Sequence, residues 1–255
     1  MTDIAQGDTH PGPTPAPGRS RYRRILLKLS GEAFCAPGGF GIDADELEVI
    51  AQEVADAAQS GAQLAVVVGG GNIIRGAELA RDGHIVQATA DHMGMLGTVI
   101  NAIALREKLT ALGIGARAMT AIEIPSVAEP FIRGRAIRHL EKGNVVVLGG
   151  GTGNPFFTTD TCAALRAREL ECDVLLKATK VDGVYSADPK TDPNAERYHS
   201  LAYRVAIEQR LRVMDITALA MCEESGLPLV VFDFKRQGNI GRVIAGEDVG
   251  TLVTA

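Results

Sequence analysis

Short apolar runs alternate with amphipathic stretches along almost the whole chain. The runs 25–29, 64–68, 144–148, 173–178 and 227–232 are rich in Val, Ile and Leu without polar alternation, and 114–119 is a further short run of mostly small and apolar residues. That pattern predicts strands buried on both faces. Between them, Leu47, Ile50, Ala51, Val54, Ala55 and Ala58 recur at helical spacing and form one apolar face, with Asp43 and Glu46 as a start signal and Gly61 as a stop. Further helices are predicted over 88–112, 133–142, 160–170 and 216–225, and near 202–211. This alternation predicts a three-layer α/β/α architecture around a mainly parallel open sheet.

Residues 1–20, with a PGPTPAPG core, offer almost nothing to bury and are expected to be a disordered tail, which leaves 21–255 as one globular unit without repeats or an interior linker. Arg19, Arg21, Arg23 and Arg24 read either as a solvated edge before the first strand or as an anion-binding arm.

Hydrophobic residues make up 46% of the chain and aromatics only 4%, so the core must be built from Ala, Val, Ile and Leu. A net charge of −5 argues against nucleic acid as a partner. Cysteines 35, 162, 172 and 222 show neither CxxC pairing nor metal-ligand spacing with the histidines, which fits reduced thiols in a cytoplasmic protein. No apolar run reaches bilayer-spanning length and the first residues lack a signal-peptide core, so no membrane is expected.

In open parallel sheets, ligands bind beyond the carboxyl ends of strands. Here those ends share a chemistry. The first closes on Lys28-Leu29-Ser30-Gly31, the second on Gly69-Gly70-Gly71 with Arg75 following, another on Gly149 to Asp160, and the next on Lys177 to Asp188. Glycines without Cβ atoms let backbone N–H groups approach an anion, and a following helix adds its positive N-terminal end. The turn after Leu148 also reads as a plain flexible connection. Lys28 reads either as a phosphate partner or as a rim lysine paired with Glu32 or Asp182, and Arg75 either as a phosphate clamp or as a solvated arginine. His92 reads as a hydrogen-bonded helix residue more readily than as a base. Neither GxxxxGK[ST] nor a complete GxGxxG occurs, and GxSxG and HExxH are missing too.

KLSGEA (28–33), GGGNIIRG (69–76), DHMGMLGTVINAIALR (91–106), GTGNPFFTTD (151–160) and LKATKVDGVYSADP (176–189) together resemble the amino acid kinase family, and within it the branch that phosphorylates UMP. The resemblance covers nearly the whole chain after the tail. It implies ATP-dependent conversion of UMP to UDP with Mg²⁺, in a homohexamer, with GTP or UTP as allosteric ligands in the family. Carried over residue by residue, Lys28, Leu29, Ser30 and Gly31 resemble the ATP phosphate segment, and Gly71 and Arg75 resemble further ATP contacts. Thr179, Tyr185 and Asp188 match positions that hold adenosine. Gly70, Asp91 and the run Thr152, Gly153, Asn154, Pro155, Phe156, Phe157, Thr158 and Thr159 match UMP contacts. Lys28 and Asp160 are the implied catalytic pair, Asp182 is a second acid of this kind, and no metal ligand is singled out.

Two positions depart from the family pattern. The loop Ala36 to Gly41 keeps only the latter half of a segment that relatives associate with GTP activation, which leaves that response open. Tyr185 stands where some relatives carry Phe, which preserves a stacking face. Gly94, Gly97, Ala102 and Ala104 permit close helix approach, either within the chain or between subunits.

The acceptor phosphate has a second pKa of about 6 and is largely ionised at neutral pH, so this chemistry needs no general base. Lys28 is expected to neutralise the moving group, and the N–H groups of Gly70, Gly71, Gly151 and Gly153 to receive phosphate oxygens. Asp160 is expected to orient Lys28 or a metal-bound water, or else simply to favour a helix N-terminus.

Overall fold

A computed structural model describes residues 20–255 except 82–84, 190, 193 and 212, so the predicted tail lies outside the described residues apart from Ser20. Ser20 is already tied down, with its N–H on the Ser60 carbonyl at 3.3 Å.

The elements run β1 (Arg24–Leu29), α1 (Ala44–Ala58), β2 (Gln63–Val68), α2 (Gly76–Arg81), α3 (Gln87–Ala111), β3 (Ala116–Thr120), β4 (Glu129–Pro130), α4 (Arg133–Glu141), β5 (Val145–Gly149), α5 (Thr159–Glu169), β6 (Val174–Thr179), β7 (Ser200–Ala202), α6 (Tyr203–Glu208), α7 (Ile216–Ser225), β8 (Leu229–Asp233), α8 (Asn239–Ile244) and β9 (Thr251–Thr254). A short 3-10 turn, Gly31–Ala33, follows β1. The strands form one sheet in the order β4-β3-β5-β2-β1-β6-β8-β9-β7. Among the described pairings between these strands only β8 with β9 is antiparallel. The predicted mainly parallel open sheet is therefore present.

Strand alternation divides the core into two layers. Ile25, Leu27 and Leu29 of β1 join Leu64, Val66 and Val68 of β2 under α1, α3 and α8. Leu26, Ala65, Val67, Val146 and Leu175 face the other way, against α4 to α7. Successive side chains of a strand point to opposite faces, so Lys28 and Lys177 belong to this second layer, the one that holds α5.

The differences from the predicted pattern have local causes. The third strand begins at Ala116 rather than 114, because Leu112 and Gly113, with φ +79°, close α3 and the chain turns before re-entering the sheet. The helix expected near 202–211 stops at Glu208, and Arg210 takes a left-handed φ of 51°. α2, β4, β7, α8 and β9 were not predicted, being two to six residues long and so too short to display a period.

Candidate active site

β1, β2, β5 and β6 lie side by side, so their carboxyl ends meet on one edge of the sheet. β1 and β6 pair in parallel with Lys28 opposite Lys177, which puts two ammonium groups next to each other on the α5 face. Asp160 lies between them. Lys28 Nζ is 2.9 Å from Asp160 Oδ1, and Lys177 Nζ donates to Oδ2 at 2.7 Å and to the Val213 carbonyl. Lys28 is thus paired with Asp160, whereas its alternative rim partners are engaged elsewhere. Glu32 holds Arg75 at 3.0 Å and Lys180 at 2.7 Å, and Asp182 accepts the Tyr185 hydroxyl at 2.7 Å.

Asp160 is delivered by the first turn of α5. Thr158 caps that helix, accepting the N–H groups of Asp160 and Thr161, and its own hydroxyl reaches Asp215 at 2.5 Å. Asp215 caps α7 in turn through the Ala218 N–H, so two helix starts are locked together beneath the lysines. Burial alone would raise the Asp160 carboxyl, but the charges of Lys28 and Lys177 outweigh it and hold the group below its ordinary value. Burial, with repulsion from Lys28, pulls Lys177 down against the attraction of Asp160. Both directions follow from a buried cluster of two cations and one anion, whose net positive charge favours anions and disfavours cations.

A cavity of about 300 Å³ opens over the ends of β1, β2 and β5. Ser30, Gly31, Gly70 and Gly71 form one wall, Asp91 and Gly94 of α3 another, and Asn154, Phe157, Thr158 and Thr159 the third. Close packing sets the shape of its floor. A Cβ on Gly70 would stand 2.7 Å from the Gly94 carbonyl and 2.8 Å from the Thr98 N–H, so α3 can seat here only against glycine. Thr98 accepts the Gly150 N–H at 2.7 Å, and the fully buried Asn101 donates to the Gly69 carbonyl at 2.7 Å and to Asn72 at 2.6 Å. Asn72 passes this restraint on to the Gly41 carbonyl at 2.7 Å, at the end of the loop 36–41.

Other predicted positions lie around this cavity without lining it. Thr152 forms a turn with Asn154, Phe156 is exposed with φ 70°, and the Phe156 N–H donates to Asp91 Oδ2 at 2.8 Å. Gly153, expected to offer its N–H to phosphate, instead donates to the Gly150 carbonyl at 3.0 Å. That donor is spent on closing the turn. Pro155 is partly buried between these residues. Leu29 has its side chain in the core, and its carbonyl accepts the Gly69 N–H, so it serves the strand end structurally. His92 is bonded to the Ala88 carbonyl at 2.7 Å, as a helix residue.

A second cavity, of about 450 Å³, lies beyond β6 between 181–189 and 209–211. Tyr185 and Asp188 line it, whereas Thr179 caps the strand end just before it through the Val181 carbonyl at 2.7 Å. In sheet order the Lys28–Asp160–Lys177 cluster stands between the two cavities.

Lys177, Asp215, Thr98, Asn101 and Lys180 were not singled out from the sequence. For Lys177 a signal existed, because Leu26-Leu27-Lys28 recurs as Leu175-Leu176-Lys177 and implies the same strand position twice. Two of the small residues of α3 serve this chain's own packing: a Cβ on Gly97 would lie 3.3 Å from the Gly70 carbonyl, and Ala102 packs under Gly149, whereas a Cβ on Gly94 would meet nothing within 4 Å. The four cysteines are free, and burial pushes Cys162 up to about 11 and Cys172 up to about 12, so neither thiol is primed for chemistry. Among the described residues no helix is long and apolar enough to cross a membrane.

The same architecture recurs in known proteins. The chain is similar to the UMP kinase of Bacillus anthracis, with 42% identity over 91% of this chain and 96% of that one and a TM-score of 0.89. The UMP kinase of Ureaplasma parvum is 34% identical over 92% and 100% of the two chains with a TM-score of 0.86, and the uridylate kinase of Archaeoglobus fulgidus 30% identical over 90% and 99% with a TM-score of 0.70. Residues 23–233, which carry every strand end that meets at the paired lysines, match the family model described as amino acid kinase family, and the chain belongs to that family.

Proposed function

We propose that the chain transfers the terminal phosphoryl group of ATP to the phosphate of UMP, giving UDP and ADP. The observation that carries this reading is the Lys28–Asp160–Lys177 cluster between two cavities on one edge of the sheet. In-line transfer requires donor and acceptor tip to tip with cations at the junction, and little else from the protein. UMP fits the first cavity, its phosphate toward Gly70 and the start of α5, with Gly71 at the junction with the ATP phosphates. The nucleoside of ATP fits the second, with Tyr185 and Asp188 beside it and its phosphates running back along Ser30 and Gly31.

In this arrangement Lys28 and Lys177 neutralise charge on the moving group. Asp160 is a positioning residue that holds both ammonium groups and keeps the cluster from carrying two uncompensated charges. Bound Mg²⁺ supplies further neutralisation of the ATP phosphates. Among the described residues no group of three or more His, Cys, Asp or Glu could hold a metal, so the ion would be held by the phosphates of the substrate.

Residues 21–255 act as one catalytic unit in the cytoplasm, and the homohexamer of the resemblance takes its seam on the outer face of α3, where Leu96 and Ile100 are exposed. Gel filtration checks the assembly. A coupled assay with ATP and UMP, CMP or glutamate tests the activity: turnover with UMP well above the others is expected, and turnover with glutamate alone would replace this reading with acyl-phosphate formation.

A further inference from the structure

We infer that Thr251, in the last strand and outside both cavities, is a positioning residue for the donor nucleotide. The inference rests on reading the second cavity as the ATP nucleoside site. Thr251 is fully buried, and its hydroxyl makes two hydrogen bonds that join separate segments. It accepts the Val184 N–H at 2.9 Å and donates to the Tyr198 carbonyl. Val184 lines the cavity and immediately precedes Tyr185, so the hydroxyl fixes the height at which that loop leaves the sheet.

Further contacts make this a built support. A Cβ on Gly183 would lie 2.5 Å from the Thr251 hydroxyl oxygen, so the loop backbone presses directly onto it. Arg197 donates to the Asp182 carbonyl at 3.1 Å and to the Gly250 carbonyl at 3.4 Å, tying the loop a second time to the turn just before β9. Tyr198 N–H donates to the Val184 carbonyl at 2.8 Å and Ser186 N–H to the Glu196 carbonyl at 2.9 Å, so 184–186 and 196–198 run as a short antiparallel ribbon. β9 itself is held by β8 through the pairing of Val231 with Thr251. The rigid sheet thus reaches the nucleoside loop through the Thr251 hydroxyl, with Arg197 as a second tether, while no part of this path touches the first cavity.

Removing the hydroxyl strands a buried N–H and a buried carbonyl, whereas Ser keeps both bonds. Binding of ATP and of UMP to the full-length chain is measured by calorimetry for Thr251→Val and Thr251→Ser, with steady-state KM for each substrate alongside. Thr251→Val is expected to weaken ATP about tenfold, to leave UMP within twofold, and to be rescued by Thr251→Ser. Unchanged ATP affinity, equal weakening of both nucleotides, or a serine variant as impaired as valine would overturn the inference. Should the valine variant fail to fold, Arg197→Gln removes the second tether from a less buried position. There a several-fold loss confined to ATP supports the path, and its lack overturns it. Calorimetry keeps the two readings apart, since a wild-type chain that binds ATP without turning over UMP refutes the transfer reaction and not the support.

Discussion

Lys28 and Lys177 are register partners on adjacent parallel strands, and both ammonium groups close on the single carboxylate of Asp160. The pairing follows from strand geometry. Side chains at matched positions of neighbouring parallel strands point to the same face, and here that face receives the N-terminus of α5. Two cations that would repel each other across a strand pair are held together by an acid that a capped helix delivers, and the surplus positive charge is left for phosphate.

Replacing Lys28 with Ala removes one cation from the junction while leaving the strand and its hydrogen bonds intact. A fall in kcat of at least ~100-fold is expected, about 3 kcal/mol of transition-state stabilisation, with the circular dichroism of the fold unchanged. Turnover near that of the wild type would remove Lys28 from the chemistry.

Lys177 carries a depressed pKa, mainly from burial and then from Lys28, so it loses its proton at a lower pH than an ordinary lysine at about 10.4. Below its folded pKa the charged form costs stability, and that cost is relieved as pH rises between the folded and unfolded values. Catalysis runs the opposite way, because deprotonation withdraws a cation. The kcat/KM for ATP should therefore fall on an alkaline limb below the usual lysine range, and Lys177→Arg, which stays charged, should lose that limb. Superimposable profiles would show that Lys177 is purely structural.

Much of the architecture was legible because strands buried on both faces and one-faced helices leave clear periods, as in β1, β2 and α1. The cluster was only half legible. Lys28 and Asp160 stood out by residue type and motif, but their contact depends on the β1–β6 register and on where α5 docks, which no local pattern encodes. Glu32 and Asp182, the partners suggested for Lys28, belong instead to the outer rim with Arg75, Lys180 and Tyr185. Gly153 shows the complementary limit: the sequence reveals that a glycine can expose its N–H, and only the closed turn reveals that Gly150 already uses it.

Asp160→Asn separates the ion-pair role from a helix-terminus role. The folded carboxyl titrates below its unfolded value, so its stabilisation is fully present above the ordinary carboxylate range and is lost as pH falls through the folded value. Leaving two buried ammonium groups uncompensated should cost about 3–5 kcal/mol at neutral pH, against ~0.3–1 kcal/mol for the helix dipole alone. At about 2–4 °C per kcal/mol, the variant's Tm deficit should be large at pH 7 and should shrink on acidification. A deficit of a degree or two at every pH would favour the helix-terminus role.

Asp91 joins α3 to the loop over the first cavity, accepting the Phe156 N–H with one oxygen and the Gln87 amide with the other. Asn can accept with only one of its two groups, so Asp91→Asn should loosen that loop. The expected result is a several-fold rise in KM for UMP with KM for ATP within twofold. Equal changes in both would count against assigning this cavity to UMP.

Gly70 and Gly71 are neighbours with opposite constraints, and this separates packing from binding. A methyl group at Gly70 collides with the backbone of α3, at the Gly94 carbonyl and the Thr98 N–H, and neither can retreat without lifting the helix. At Gly71 the same methyl meets nothing within 4 Å and points into open space at the cavity wall. Gly70→Ala should therefore lower Tm by several degrees and impair binding along with it, since overpacking costs about 1–3 kcal/mol. Gly71→Ala should leave Tm within about one degree, in the range of substitutions that disturb no packing, and yet raise KM because the added group occupies space that phosphate oxygens need. Thermal melts and steady-state kinetics on the two variants check both halves, and a Gly71→Ala enzyme with wild-type KM for both nucleotides would mean that phosphate does not approach this turn.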